Sequence, residues 1–182
     1  MFEGYSGMRM RERVFTSPVT EANLAEQFKS AFRAHPAGVA VVAARDAEGP
    51  VGLTASSVSS VSVEPAALVF SVTRARGSAG RVLAAEEITV NLLTTADVGT
   101  AKSFAVSGAE RFTAAEQWRG LDELPWLASA GSSLRCRPIS THRVGDSTVV
   151  VAEVLEVLAQ NPGEPLVYHD RAFHRLSDDS LL

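Results

Sequence analysis

The chain predicts a mainly β fold, a closed or nearly closed antiparallel barrel preceded by one helix. Three observations carry this. Eight short β-like apolar runs fill most of the sequence, their connections are short and hairpin-like, and helical spacing is confined to a few stretches. Closing the sheet removes the exposed edges that such strands would otherwise leave. A parallel doubly wound sheet would need strands alternating regularly with helices, and the chain lacks the Gly-x-Gly-x-x-Gly turn that would place a dinucleotide in such a fold.

Taken in order, residues 1 to 18 are polar, contain Gly4, Gly7 and Pro18, and read as an extended N-terminal arm. Residues 19–182 read as one domain, because 182 residues suffice for a single substantial core and no domain-sized linker or repeat interrupts them. Thr20 suits a helix N-cap, and Leu24, Phe28, Ala31 and Phe32 recur at helical spacing until His35-Pro36 stops the run. The β-like runs follow: "AGVAVVAA" (37–44), "VGLTASS" (51–57), "AALVFSVT" (66–73), "EITVNLLT" (87–94), "SLRCRPIS" (133–140), "STVVVAEVLEVL" (147–158), "PLVYH" (165–169) and "AFHRL" (172–176). The polar turn "RDAEGP", with Gly49 and Pro50, joins the first two as a hairpin. Apolar spacing turns helical at 74–86 and again at 95–120, which predicts short helices there.

Composition excludes several classes. A formal charge of −4 offers no general attraction to nucleic acid or anionic membrane. No run approaches 18 uninterrupted apolar residues, and "MFEGYSGMRMRERVF" lacks the apolar stretch of a secretory signal, so neither export nor a membrane anchor is expected. The single cysteine, Cys136, cannot form an internal disulfide, and a cytoplasmic protein is the expectation.

The chemistry is sought first in "GLTASSVSSVSVEP" (52–65), where Thr54, Ser56, Ser57, Ser59, Ser60 and Ser62 are threaded between branched apolar residues. Val58, Val61 and Val63 break the strict period of two, which predicts a bulge or bend. Such a bend turns neighbouring hydroxyls and backbone N–H groups toward one point, a cradle for a phosphate or for the edge of a heteroaromatic ring. Downstream, "SVTRARGSAGRV" sets Arg74, Arg76, Arg81 and Ser78 around Gly77 and Gly80 at the start of a predicted helix, a combination suited to an anionic group.

Other chemistries find no support. His35, His142, His169 and His174 have no metal-ligand spacing among themselves or with Cys136, and on one continuous strand His169 and His174 would face opposite sides, so no metal is expected. There is no Gly-x-Ser-x-Gly elbow and no phosphate loop ending in Gly-Lys-Ser or Gly-Lys-Thr. Cys136 reads as a small buried hydrophobe, and "RGLDELPWLASAGSS" with Trp118, Pro125 and Trp126 reads as a packed flap.

The order "FRAHPAGVAVVAA", "GLTASSVSSVSVEPAALVFSV", "ITVNLL", "AKSFAVSGAERFTAAEQW", "LRCRP", "VGD" and "LVYHDRAFHRL" resembles the short-chain flavin reductases, from about residue 28 to 176. The resemblance implies a Greek-key-like split barrel, a homodimer that holds FMN or FAD near the subunit interface, and hydride transfer from NADH or NADPH. It also implies a separate monooxygenase that receives the reduced flavin. Carried over residue by residue, it places Thr54, Ala55, Ser56 and Ser57 along the flavin ring and its ribityl-phosphate arm. Ser71, Val72, Thr73, Arg74 and Ser78 would surround the next loop, and Asn91, Phe104 and Phe112 would complete the pocket. Gly145, Asp146 and Ser147 would edge the nicotinamide, with His169 a further candidate there.

The chain departs from the family at one position. The family's usual Gly-Asp-His reads Gly-Asp-Ser here, at Ser147. Hydride transfer between two cofactors needs no protein proton carrier, so no catalytic residue is assigned with Ser147 and His169 as the candidates; loss of the histidine should weaken or re-aim nucleotide binding first. The expected function is an NAD(P)H:flavin oxidoreductase. A non-catalytic flavin-binding protein and a flavin-dependent oxidase of the same fold are the alternatives.

Overall fold

The structure, a computed structural model, describes residues 21–106, 108–113, 115–176 and 180–181; the expected arm over 1–18 and the cap at Thr20 lie outside them. In chain order the elements are α1 (Glu21–Arg33), β1 (Ala37–Gly38), β2 (Ala40–Asp46), β3 (Gly49–Ala55), β4 (Ser59–Val63), β5 (Ala66–Thr73), α2 (Ser78–Ala84) and β6 (Ile88–Leu92). A 3-10 turn (Thr95–Asp97) leads into α3 (Val98–Ala105), followed by β7 (Trp118–Arg119), β8 (Trp126–Leu127), β9 (Ser132–Val144), β10 (Ser147–Gln160), β11 (Leu166–His169) and β12 (Ala172–Arg175).

Seven strands form one antiparallel sheet in the order β3-β2-β6-β9-β10-β5-β4. Its two outer strands, β3 and β4, are consecutive in the chain and joined only by residues 56–58, and β3 touches β5, so the sheet rolls into a barrel. The inward side chains of β2, β3, β5, β6, β9 and β10 make one core, among them Val42, Val51, Phe70, Val90, Cys136 and Val150, with Val82 of α2 added to it. Strand β2 is buried on both sides. Ala40, Val42 and Ala44 face this core, whereas Val41 and Ala43 join Val39 in a second one built with Phe104, Trp118, Leu127 and Leu166. Burial on both faces is why residues 39–44 read as an unbroken apolar run.

The long β9–β10 hairpin changes register at three places, which lets it curve round the barrel. Strands β1, β11 and β12 form a small separate sheet, and β7 with β8 a short ribbon. Trp118 and Leu127 of that ribbon are buried, as a packed flap requires.

Helix α1 forms where its periodicity predicts, supported by Lys29–Glu26 and Gln27–Asn23 side-chain pairs and by Phe28 against Phe32 at 4.6 Å between ring centroids. Its apolar stripe nevertheless does not pack on the barrel: none of its residues is buried, and Leu24, Phe28 and Phe32 stay 57, 60 and 61% exposed.

The bulge or bend expected within residues 52–65 occurs as both, and it leads into a strand, β4, that the eight apolar runs did not include. The chain leaves β3 at Ala55, bends through residues 56–58, and enters β4, where a register shift between Ser60 and Ser62 supplies the bulge. Helix after residue 95 ends at Ala105, well short of 120, because the chain then turns back over the barrel with Gly108 and Phe112 both at positive φ.

Candidate functional site

The bend between β3 and β4 is pinned by a reciprocal pair of hydrogen bonds. Ser71 N–H of β5 donates to Ser57 Oγ at 2.9 Å, and Ser57 Oγ donates to Ser71 O at 3.2 Å. On β3, Thr54 Oγ1 donates to Ala101 O at 2.9 Å and so ties α3 to the barrel wall. Between these anchors lies a cleft of about 650 Å³. One wall holds Thr54, Ala55, Ser56 and Ser57 from β3 and the bend; the facing strand gives Ser71, Val72 and Thr73. Lys102, Phe104 and Val106 come from α3 and its end, while Tyr168, Arg171 and Phe173 come from the β11–β12 hairpin.

The electrostatics of the cleft are one-sided. Its only charged lining residues are Lys102 and Arg171, with no carboxylate among the lining residues. Among the described residues neither cation has a carboxylate partner within 4 Å. Hydroxyl donors, aromatic and aliphatic faces and two unpaired cations suit a planar heteroaromatic ligand that carries an anionic tail.

Phe104 is held in place from behind. Its ring lies 5.0 Å from Phe112 and 5.4 Å from Trp118, and the Arg111 guanidinium sits 5.5 Å above it. Arg111 Nη1 donates to Gly52 O and to Ser78 Oγ, both at 2.9 Å, and Nη2 donates to Val106 O at 2.9 Å; Nε is buried without a partner among the described residues. One guanidinium thus joins β3, α2 and the end of α3 behind the cleft.

The expected site residues fall into three groups. Thr54, Ala55, Ser56, Ser57, Ser71, Val72, Thr73 and Phe104 line the cleft together. Gly145, Asp146 and Ser147 do not line it but meet it at Thr73: Ser147 pairs with Thr73 across β10 and β5, and their hydroxyl oxygens lie 3.2 Å apart. Arg74 turns toward the same loop, its backbone N–H donating to Asp146 O at 2.9 Å and its Nε 3.7 Å from Asp146 Oδ2 at the surface.

The remaining expected residues lie elsewhere. Asn91 is fully buried and saturated: Nδ2 donates to Val41 O and Thr89 Oγ1, while Oδ1 accepts from Leu127 N and Ser133 Oγ. It holds β2, β6, β8 and β9 together and has no hydrogen-bonding capacity left for a ligand. Ser78 and Phe112 line a neighbouring cavity of about 490 Å³ with Arg111. Arg81, in the basic turn, is committed to Asp46, whose carboxyl it holds below the usual range, and to Gly49 O. Of the six hydroxyls, Ser59, Ser60 and Ser62 lie on β4 outside the cleft. His169 lines a smaller adjoining cavity. His169 and His174 sit on paired strands with rings 5.6 Å apart, not on opposite faces of one strand, because the turn at Asp170 and Arg171 separates them.

Sequence reasoning missed Lys102, Tyr168, Arg171 and Phe173. The chain has only two lysines, Lys29 and Lys102, but nothing in that count or in the local pattern marks Lys102 as a cleft residue. Cys136 is inert, since burial pushes its thiol up to about 12. No group of three or more metal-ligating side chains occurs among the described residues, and no helix among them is long and apolar enough to cross a membrane.

Comparison with known proteins agrees with this geometry. Residues 32–177 match the profile of the flavin reductase like domain. The chain is 36% identical over 156 residues to an NADH:FMN oxidoreductase of Rhodococcus qingshengii, covering 83% of this chain and 81% of the relative. It is 34% identical over 151 residues to the reductase component of 4-hydroxyphenylacetate 3-monooxygenase from Thermus thermophilus, covering 83% and 96% respectively. Among solved structures, a flavin reductase domain protein from an Arthrobacter species superposes with a TM-score of 0.77 at 30% identity, over 84% of this chain and 96% of that one. The barrel, the cleft at its bend and these matches converge: the chain belongs to the flavin reductase-like domain family.

Proposed function

We propose that this protein is an NAD(P)H:flavin oxidoreductase, using NADH or NADPH to reduce FMN or FAD in the cleft. The observation that carries the reading is the cleft's one-sided charge: two cations with no carboxylate partner among the described residues and a wall of hydroxyls around an apolar floor, in a volume within the roughly 300–1,000 Å³ usual for small-molecule sites. A flavin held there would supply the ring that takes up the hydride of the reduced nicotinamide. The chain's own task is alignment. Ser56 and the backbone of the bend that Ser57 pins would face the ring edge, Phe104 would offer a rigid apolar surface, and Lys102 with Arg171 would answer the anionic tail. Thr73 and Ser147 form the seam with the Gly145–Asp146 turn, on the side where the nicotinamide would enter.

The functional unit is a homodimer, supported by apolar side chains that the single chain leaves in water: Val61 and Val63 on β4, Ile139 on β9, and Leu155 and Val157 on β10. A monooxygenase is the proposed recipient of the reduced flavin, as the relative from Thermus thermophilus is itself the reductase component of one. A cytoplasmic location fits the lone buried thiol.

The test is NADH and NADPH oxidation with added FMN or FAD, beside a flavin-binding titration. Turnover supports the proposal. Tight flavin binding without turnover of either nucleotide turns the reading into that of a flavin-binding protein, and no flavin binding ends it. Ser147→His removes the hydroxyl pair with Thr73 and is expected to change the KM for the nucleotide; an unchanged KM and rate would show that this position plays no part in nucleotide binding.

A further inference from the structure

Helix α3 carries Lys102, one of the two cations of the cleft, and side-chain bonds hold the helix on either side of that residue. Thr54 Oγ1 donates to Ala101 O at 2.9 Å, one residue before Lys102, and Ser103 Oγ donates to Glu116 Oε1 at 3.1 Å, one residue after it. The helix end is held differently. Its C-cap residue, Val106, accepts at its carbonyl oxygen from Arg111 Nη2 at 2.9 Å. A helix leaves its last carbonyls without intrahelical donors, and a cation placed there also meets the partial negative charge of the terminus. Arg111 answers both needs.

Arg111 does not line the cleft, yet each of its acceptors adjoins a residue that does. Gly52 precedes Leu53, Ser78 precedes Ala79, and Val106 is itself a lining residue. One planar guanidinium therefore fixes β3, the start of α2 and the end of α3 relative to one another. A lysine ammonium, a point charge on a flexible stem, does not offer that fork. The guanidinium is itself held in place. Phe104 lies beneath it at 5.5 Å to the ring centroid, and the next residue in the chain, Phe112, sets its ring 5.0 Å from Phe104 and 4.7 Å from Trp118. No carboxylate lies within 4 Å of Arg111 among the described residues, so its hydrogen bonds go to this joint alone.

We propose that Arg111 is a positioning residue for Lys102 and, through it, sets how strongly the cleft distinguishes a phosphorylated flavin from an unphosphorylated one. It lies outside the cleft and acts through α3. The Lys102 stem is long and flexible, so the place of its ammonium depends on where the helix sets its backbone. Arg111 settles that place from behind the wall. With the joint gone, the last turn of α3 loses its hold at Val106, and the ammonium is no longer directed at one point. The charge is then still present but badly aimed, which separates this role from that of Lys102 itself. The inference rests on reading the cleft as the flavin site.

Arg111→Gln, Arg111→Lys and Lys102→Met test it, with FMN and riboflavin as probes, titrated by flavin fluorescence in the absence of nicotinamide nucleotide. Riboflavin has the same ring and ribityl chain without the phosphate, so the ratio of the two affinities isolates the phosphate contact. The wild-type chain should prefer FMN, and Lys102→Met should lower that ratio by about tenfold, the scale of one charge-assisted hydrogen bond. Arg111→Gln should lower it as far while riboflavin affinity stays near the wild-type value. The double variant should fall no further, because both substitutions act on one contact. Arg111→Lys restores the charge without the fork and should not rescue the ratio; should Arg111→Gln fail to fold, this variant decides alone. A wild-type ratio in Arg111→Lys, or equal losses for both flavins in Arg111→Gln, would overturn the positioning role and leave the flavin reading intact. A ratio untouched by Lys102→Met would do the same, since Arg111 would then have no phosphate contact to position. Failure of the wild-type chain to bind either flavin would overturn both readings.

Discussion

Single contacts decide how sharply the cleft is shaped. Gly52 is required where β3 passes Phe104: a Cβ there would meet Phe104 Cε1 at 2.8 Å and Val42 O at 2.9 Å. Gly52→Ala should therefore push Phe104 toward the cleft, costing about 1–3 kcal/mol of stability. A denaturant midpoint and an FMN titration should fall together. Cys136 presents the opposite case, a residue whose chemistry the fold silences. With its thiol pushed up to about 12 by burial, it stays protonated throughout the working pH range. A thiol reagent at pH 8 should leave the native chain unmodified and label one equivalent in urea. Rapid labelling of the native protein would contradict the burial of Cys136. Asn91 and Ser57 show why residue type alone misleads. Both are small polar residues in apolar stretches, yet every hydrogen-bonding atom of the Asn91 amide that is described is spent inside the core, whereas Ser57 holds the rim of a cavity.

Among the elements, the bend between β3 and β4 matters most, because it both closes the barrel and furnishes one wall of the cleft. Its period break was visible in the sequence; its consequence was not. A shift of one residue in the apolar pattern signals a bulge or a change of strand equally well, and only the pairing of β4 with β5 shows that both occur. Ser57→Ala removes the two bonds to Ser71 and should lower the melting temperature by about 2–4 °C, the equivalent of roughly 1 kcal/mol in a chain of this size. FMN affinity should drop by about tenfold, a loss of roughly 1.4 kcal/mol, because the freed bend no longer aims its donors. If affinity holds while the melting temperature falls, the pin serves stability alone. The flap was legible as packed from its two tryptophans and proline. The end of α3 was not, because helical spacing in "AVSGAERFTAAEQW" cannot foresee that Arg111 folds back to bond Val106 O and Gly52 O.

For the molecule as a whole, the apolar surface left on β4, β9 and β10 is the basis for expecting a dimer. Val63 is 87% exposed, and Val63→Asp places a charge where a second copy would have to bury it. Sedimentation velocity should show a dimer for the wild-type chain and a shift toward monomer for the variant. A monomeric wild-type chain would remove the dimer from the proposal. The same measurement with FMN present tells whether ligand and assembly are coupled.

The amino-acid sequence alone determined the mainly antiparallel barrel, the N-terminal helix, the hydroxyl stretch and most of the cleft's strand-borne residues. The barrel, the helix and the hydroxyl stretch are local properties, since periodicity and turn residues lie within a few positions of one another, whereas the cleft residues Ala55, Ser71, Val72 and Thr73 were implied by the resemblance to the flavin reductases. Only the tertiary structure decided that Asn91 belongs to the core, that Ser78 bonds Arg111, and that Lys102, Tyr168 and Arg171 face the cleft. Those outcomes depend on how strands far apart in the chain pair and curve, and a residue's neighbours along the sequence do not specify its neighbours across a closed sheet.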